Sequence, residues 1–151
     1  MIVQIHDRSK KSEIARNILE ALTEWFEVKE SREQYIADCA DWLFLAAEEK
    51  GQYVGFLCLK ETGKDTAELV VMGVLKEHHR EGFGRDLVEK AKEAAKSAGY
   101  SFMQVKTVQM GKYEEYDRTN LFYLGCGFKE FEVFPLYWDE ANPCQIYVMA
   151  L

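Results

Sequence analysis

From Ser9 to Trp25 the apolar residues Ile14, Ile18, Leu19, Leu22 and Trp25 recur three and four positions apart, the period of one buried helix face. Ser9 is placed to cap the start of that helix. Tyr35, Ile36 and Cys39 predict a second helix over Glu30 to Ala40, and the short apolar run Met1 to Ile5 suits a sheet strand. Trp42 to Ala47 and Tyr53 to Leu59, divided by Lys50-Gly51, read as a hairpin. A further turn, Glu61 to Asp65, leads into a strand over Ala67 to Leu75. After Gly84 the period changes: Leu87, Val88, Ala91, Ala94, Ala95 and Ala98 form one helical stripe, and Gly99 stands where a left-handed residue ends such a helix. Ser101 to Val108 reads as a strand and Tyr116 to Leu124 as a helix. Phe128 to Phe134 and Gln145 to Met149 are closing strands. The order β-α-α-β-β-β-α-β-α-β-β predicts a mixed sheet with helices packed on it, in the α/β to α+β range.

Composition narrows the class. A chain of 151 residues is one domain's worth and buries roughly 70% of its unfolded surface, so it needs no disulfide or metal staple. With 48% apolar and 30% charged residues and only 2 prolines it is a globular sequence, not a disordered one. The net charge of −7 argues against a nucleic-acid partner, because phosphate neutralisation demands the opposite sign; it is compatible with a cationic substrate. Cys39, Cys58, Cys126 and Cys144 contain no C-x-x-C pair, which removes a zinc ribbon and a thioredoxin motif. The first residues lack the apolar core of a signal peptide, and no apolar run approaches the ~18 residues of a membrane span. Reduced thiols, a cytoplasmic location and no membrane partner are the expectation.

The stretch Ala67 to Leu87 carries the chemistry. It is a strand, a short turn, a glycine-bearing loop and then the amphipathic helix. Gly82 and Gly84 let the backbone approach a bound group, and the helix N-terminus aims N–H groups at the same place, an arrangement suited to phosphate. A nucleotide and a pyrophosphate-bearing cofactor both fit; so does a loop that merely turns. A Walker A loop does not, because Gly84 is followed by Arg85-Asp86 rather than Lys-Ser/Thr. A dinucleotide fingerprint fails too, since Leu87 stands at its third glycine.

The segment His79-Arg80-Glu81-Gly82-Phe83-Gly84 resembles the coenzyme A motif of the GNAT-type N-acetyltransferase superfamily, Gln/Arg-x-x-Gly-x-Gly/Ala at a strand-loop-helix junction. Phe122-Tyr123-Leu124-Gly125-Cys126-Gly127-Phe128 resembles that family's second landmark, an aromatic-Tyr pair closing a short helix and followed by Gly-Phe. The resemblance covers about residues 40 to 150. It implies a mostly antiparallel mixed sheet of six or seven strands flanked by about four helices, with a splayed central strand pair whose opening holds acetyl-CoA. Backbone amides from Arg80 to Arg85 would hold the pyrophosphate. Main-chain groups of Met72, Gly73 and Val74 would align with the pantetheine, and the Met72 N–H matches the position that polarises the thioester carbonyl. His79 departs from the Gln or Arg usual at the head of the loop; since the loop works through backbone donors, altered affinity is expected rather than loss.

The resemblance also assigns catalytic roles. Direct transfer needs a neutral amine, hence a base, and an acid for the departing thiolate. Tyr123 matches the family's acid; an ordinary phenol, with pKa near 10, is protonated at pH 7. Glu68, eleven residues before His79, matches the base of the histone-acetylating branch, with ordered water as the alternative. Against these stand a core tyrosine and a solvated carboxylate. His78 and His79 are expected to meet solvent or cofactor phosphate; no third ligand is spaced with them, so no metal is expected. Cys126 and Cys144 lack an adjacent base and read as buried structural thiols. Glu114-Glu115 and Glu27 to Glu33 read as solvated helix faces rather than amine attractors. Trp25, Trp42, Tyr137 and Trp138 each fit either the core or an acceptor-pocket wall.

The resulting expectation is an acetyl-CoA-dependent N-acetyltransferase acting in a ternary complex on a primary amine, either a small molecule or a protein amine. Homodimers are common in the family. The alternatives are a non-catalytic CoA-binding module, a transferase for another short acyl-CoA or an oxygen acceptor, and an unrelated nucleotide-binding domain.

Overall fold

A computed structural model describes all residues, Met1–Leu151. Its strands are β1 (Ile2–Ile5), β2 (Leu43–Glu49), β3 (Gln52–Gly63), β4 (Thr66–Val74), β5 (Phe102–Val108), β6 (Lys129–Asp139) and β7 (Asn142–Ala150). Its α-helices are α1 (Arg8–Ala21), α2 (Lys29–Asp38), α3 (Phe83–Ser97) and α4 (Glu114–Gly125), with short 3-10 turns at Cys39–Asp41 and Lys76–His78. The expected element order is therefore present. Seven strands make one sheet in the order β1-β2-β3-β4-β5-β7-β6. The pairs β1–β2, β2–β3, β5–β7 and β6–β7 are antiparallel. No helix is long and apolar enough to cross a membrane.

The chain divides into two compact units. The first holds Met1–Lys60 and Leu69–Ala94, the second Glu61–Glu68 and Ala95–Leu151. In the first, the α1 stripe Ile14, Ile18, Leu19 and Leu22 is buried with Ile36, Phe44, Phe56 and Val71. Phe44 and Phe56 stack at 5.2 Å, worth about 0.5–1.5 kcal/mol beyond their area. Asp7, not Ser9, caps α1: its carboxylate accepts from Lys10 N at 3.0 Å. Both residues can cap, and the helix extends back to the earlier one. The hairpin between β2 and β3 turns at Lys50 (φ 51°) and Gly51 (φ 79°), the doubly left-handed turn whose twist matches paired strands.

Gly73 on β4 is closely packed against side chains of the α1 face. A Cβ there would lie 2.8 Å from Leu22 Cδ1 and 3.1 Å from Ile18 Cγ2. Gly73→Ala is therefore expected to cost about 1–3 kcal/mol through overpacking, lowering Tm by roughly 2–4 °C per kcal/mol in a chain of this size. Gly63→Ala, where nothing lies within 4 Å, is the control. Equal melting temperatures for the two variants would show that α1 withdraws without cost.

In the second unit, Met103, Val105, Tyr123, Phe128, Ile146 and Tyr147 are buried, as is Asn120, which is 0% exposed. Asn120 Nδ2 donates to the Val108 and Tyr116 carbonyls at 2.9 and 2.7 Å, and its Oδ1 accepts from the Tyr147 hydroxyl at 2.5 Å. The expected turn over Glu61 to Asp65 is tighter, because β3 continues to Gly63. Three distant partners bond there: Tyr100 donates to Glu61 at 2.6 Å, Gln104 to Thr62 at 2.8 Å, and Ser101 N to Asp65 O at 2.8 Å. Strand β6 likewise runs five residues past Phe134, with Phe131, Leu136, Tyr137 and Trp138 exposed.

Candidate functional site

The loop from β4 to α3 is shaped by two left-handed residues, Arg80 (φ 66°) and Gly82 (φ 90°). The first intrahelical bond runs from Asp86 N to Gly82 O at 3.0 Å. Gly82 thus sits at the helix cap, and the N–H groups of the first turn at Phe83 and Gly84 point out of the helix end, where its dipole is positive. A Cβ built on Gly82 meets nothing within 4 Å, so the loop is open to solvent at that point. The loop residues Arg80, Glu81, Gly82 and Arg85 are exposed, and Phe83 and Gly84 half-buried.

His79, expected at solvent or phosphate, is exposed, and one nitrogen of its ring also bonds back to β4. Its Nε2 is 2.6 Å from the Val74 carbonyl, and its ring stands edge-on to Trp25 at 5.9 Å. This bond ties the loop to the end of β4 and engages one of the two lone pairs of the carbonyl expected to face pantetheine. Trp25 is half-buried and also carries the Lys76 ammonium over its ring at 5.9 Å. His78 has partners that spacing could not reveal: Nδ1 lies 2.8 Å from Glu81 and 3.3 Å from Glu49. Glu49 is brought in by β2 from 29 positions away, so His78, without His79, meets two carboxylates.

In the second unit Glu68 on β4 is 8% exposed. Its carboxylate accepts from Lys106 Nζ of β5 at 2.6 Å, and that ammonium sits 5.6 Å from the Tyr137 ring centroid. Lys106 was not singled out by the sequence reading. Glu68 between Ala67 and Leu69 is a charge that needs a partner once buried, but nothing local to the sequence names Lys106 as that partner.

Tyr123 is 6% exposed near the end of α4, its ring against Phe122 and Phe128 at 5.6 Å and Tyr147 at 6.3 Å. The helix closes immediately after it. Gly127 (φ 101°) donates to Leu124 O and Phe128 N to Tyr123 O, both at 3.1 Å. The Gly-Phe pair thereby fixes the orientation of the Tyr123 turn.

The acidic stretches are largely structural. Glu33 takes Arg16 through two bonds of 2.8 Å, and the arginine holds its carboxyl below the usual range. Glu114, Glu115 and Asp117 occupy the first turn of α4, where carboxylates complement the helix dipole. All four cysteines are free and buried. Burial pushes the Cys39 and Cys58 thiols up and raises Cys144 to about 11, beside the charges of Lys106 and Glu68. At pH 8 only about one Cys144 in a thousand is thiolate. The native protein is expected to release almost no colour from a thiol-reactive disulfide reagent within minutes, and four equivalents after denaturation. Rapid labelling of Cys144 in the native state would reinstate it as a nucleophile.

The sequence matches the acetyltransferase (GNAT) family over residues 12–128, well over half its length. The chain belongs to the GNAT acetyltransferase family. Solved structures agree on the fold. A protein from Desulfovibrio desulfuricans assigned to the GNAT family superposes with a TM-score of 0.86 at 17% identity, over 99% of this chain and 98% of that one. The IAA acetyltransferase from Bacillus cereus gives 0.77 at 21% identity, over 100% and 99%. A GNAT family acetyltransferase from Elizabethkingia anophelis with acetyl-CoA bound gives 0.70 at 17% identity, over 87% and 89%. No curated protein matches the sequence significantly.

Proposed function

We propose that this GNAT acetyltransferase moves an acetyl group from acetyl-CoA directly to a primary amine. The observation that carries the reading is the loop ahead of α3, with left-handed backbone at Arg80 and Gly82, outward N–H groups at the helix start and open space over Gly82. That combination suits a pyrophosphate, with further backbone contacts from His79 to Arg85. Met72, Gly73 and Val74 on β4 are the proposed main-chain partners of the pantetheine, and the Met72 N–H the donor to the thioester oxygen. Bound acetyl-CoA supplies an activated acyl carbon and a thiolate leaving group. Glu68 accepts the proton of the acceptor ammonium, directly or through water, leaving a nucleophilic nitrogen. Tyr123 gives its phenolic proton to the departing sulfur as the new C–N bond replaces C–S, and the second proton shed by the acylated nitrogen passes through water to the phenolate, restoring it. In support, its hydroxyl-bearing ring is held by the α4 closure and its packing.

The test is incubation with acetyl-CoA and a panel of primary amines, with acetylated product followed by mass spectrometry and free CoA by its thiol. Matched formation of both supports transfer. Binding of acetyl-CoA without product across the panel would point to a CoA-sensing module, and preference for propionyl-CoA to a different acyl donor.

A further inference from the structure

The Glu68–Lys106 pair already displays how this protein holds a primary ammonium. Lys106 Nζ is 2.6 Å from a carboxylate whose side chain is 11% exposed, and its own side chain is 17% exposed. The face of Tyr137 lies 5.6 Å from the same nitrogen. Carboxylate on one side and aromatic face on another is a complete recognition set for an alkylammonium. Tyr137 and Trp138, edge to face at 5.8 Å, remain 57% and 44% exposed, and the neighbouring Leu136 is 74% exposed. The exposed Tyr137 ring, with Trp138 against it, is therefore the aromatic surface beside the ammonium position.

If Glu68 takes a proton from the acceptor, the acceptor nitrogen must come within hydrogen-bond reach of the carboxylate that Lys106 now engages. We infer that Lys106 is a built-in stand-in for the acceptor: the Glu68–Tyr137 subsite takes an unbranched primary alkylammonium with an apolar or aromatic body, which displaces the Lys106 ammonium as it enters. This rests on the transferase reading for the role of Glu68, but the binding claim is independent of turnover. Lysine suits the part because four rotatable bonds let its head swing away while the strand stays in place. The body of the incoming amine lies along Tyr137 and Trp138, where a polyhydroxylated amine gains little.

The probe is 4-phenylbutylamine, with glucosamine as the hydroxylated comparison, titrated calorimetrically without acetyl-CoA. Lys106→Gln removes the internal competitor and is expected to tighten 4-phenylbutylamine by about tenfold or more. Glu68→Gln is expected to abolish binding, and Tyr137→Ala to weaken it about tenfold. A lysine that only braces the strands predicts the opposite, unchanged or weaker binding in a folded Lys106→Gln protein. Should that variant fail to fold, the wild type serves: saturation with the probe should raise the rate at which acetic anhydride labels Lys106, read by peptide mass. An unchanged or reduced rate, no binding of the probe, or tighter binding of glucosamine overturns the inference. Failure of acetyl transfer with these binding results intact would instead overturn only the catalytic reading.

Discussion

Replacing Tyr123 by Phe lowers kcat by roughly ten- to ten-thousandfold while acetyl-CoA affinity stays nearly unchanged, the range expected when a general acid is removed. The substitution deletes one oxygen and keeps the ring, whose contacts with Phe122, Phe128 and Tyr147 are mostly carbon surface. The fold should therefore persist, and the loss should fall on the step in which the thiolate departs. Steady-state kinetics with a saturating amine, alongside calorimetric titration of acetyl-CoA, separates the two quantities. An unchanged kcat would remove Tyr123 from the mechanism and leave the thiolate to depart unassisted or with help from water.

The other large effect falls on binding. Gly82→Glu is expected to raise the dissociation constant for acetyl-CoA by more than about a hundredfold, because it puts a carboxylate on the site the helix end offers to phosphate. Steric collapse is not the cause: nothing lies within 4 Å of the added Cβ. What the variant does carry is backbone strain, since φ is 90° there, at about 1–2 kcal/mol. Gly51→Glu controls for that strain, because Gly51 has φ 79°, equally open surroundings and a place in the β2–β3 turn. Loss of stability in both variants with loss of affinity only at Gly82 supports the loop assignment. Retained affinity in Gly82→Glu would place the cofactor elsewhere.

What the sequence made legible is local. Leu87, Val88, Ala91 and Ala95 form the buried stripe of α3 because one face of a helix repeats every few residues. Lys50-Gly51 marked its hairpin because few residues accept two left-handed positions in succession. The landmarks at Gly82-Phe83-Gly84 and Gly127-Phe128 were readable through the family resemblance, and Gly82 and Gly127 do adopt left-handed backbone. What stayed hidden depends on distant partners. The far end of β3 and the turn after it are bonded by Tyr100, Gln104 and Ser101, about forty positions downstream. The engagement of Glu68 by Lys106 and of His78 by Glu49 spans 38 and 29 positions, and no periodic pattern encodes such a pairing. His79 is a different case: its partner, the Val74 carbonyl, is only five positions away, but a ring bonding back to the main chain leaves no mark in the residue pattern.

The most direct test of the central claim is a parallel titration of the wild-type protein with acetyl-CoA, CoA, ATP and NAD, followed by thermal unfolding. A ligand at a hundred times its dissociation constant stabilises the native state by about 2.7 kcal/mol, several degrees in a chain of this size. Stabilisation by acetyl-CoA and CoA, with none from ATP or NAD, is the predicted result. A response to ATP or NAD alone, or none to CoA, would contradict the account of the loop between β4 and α3.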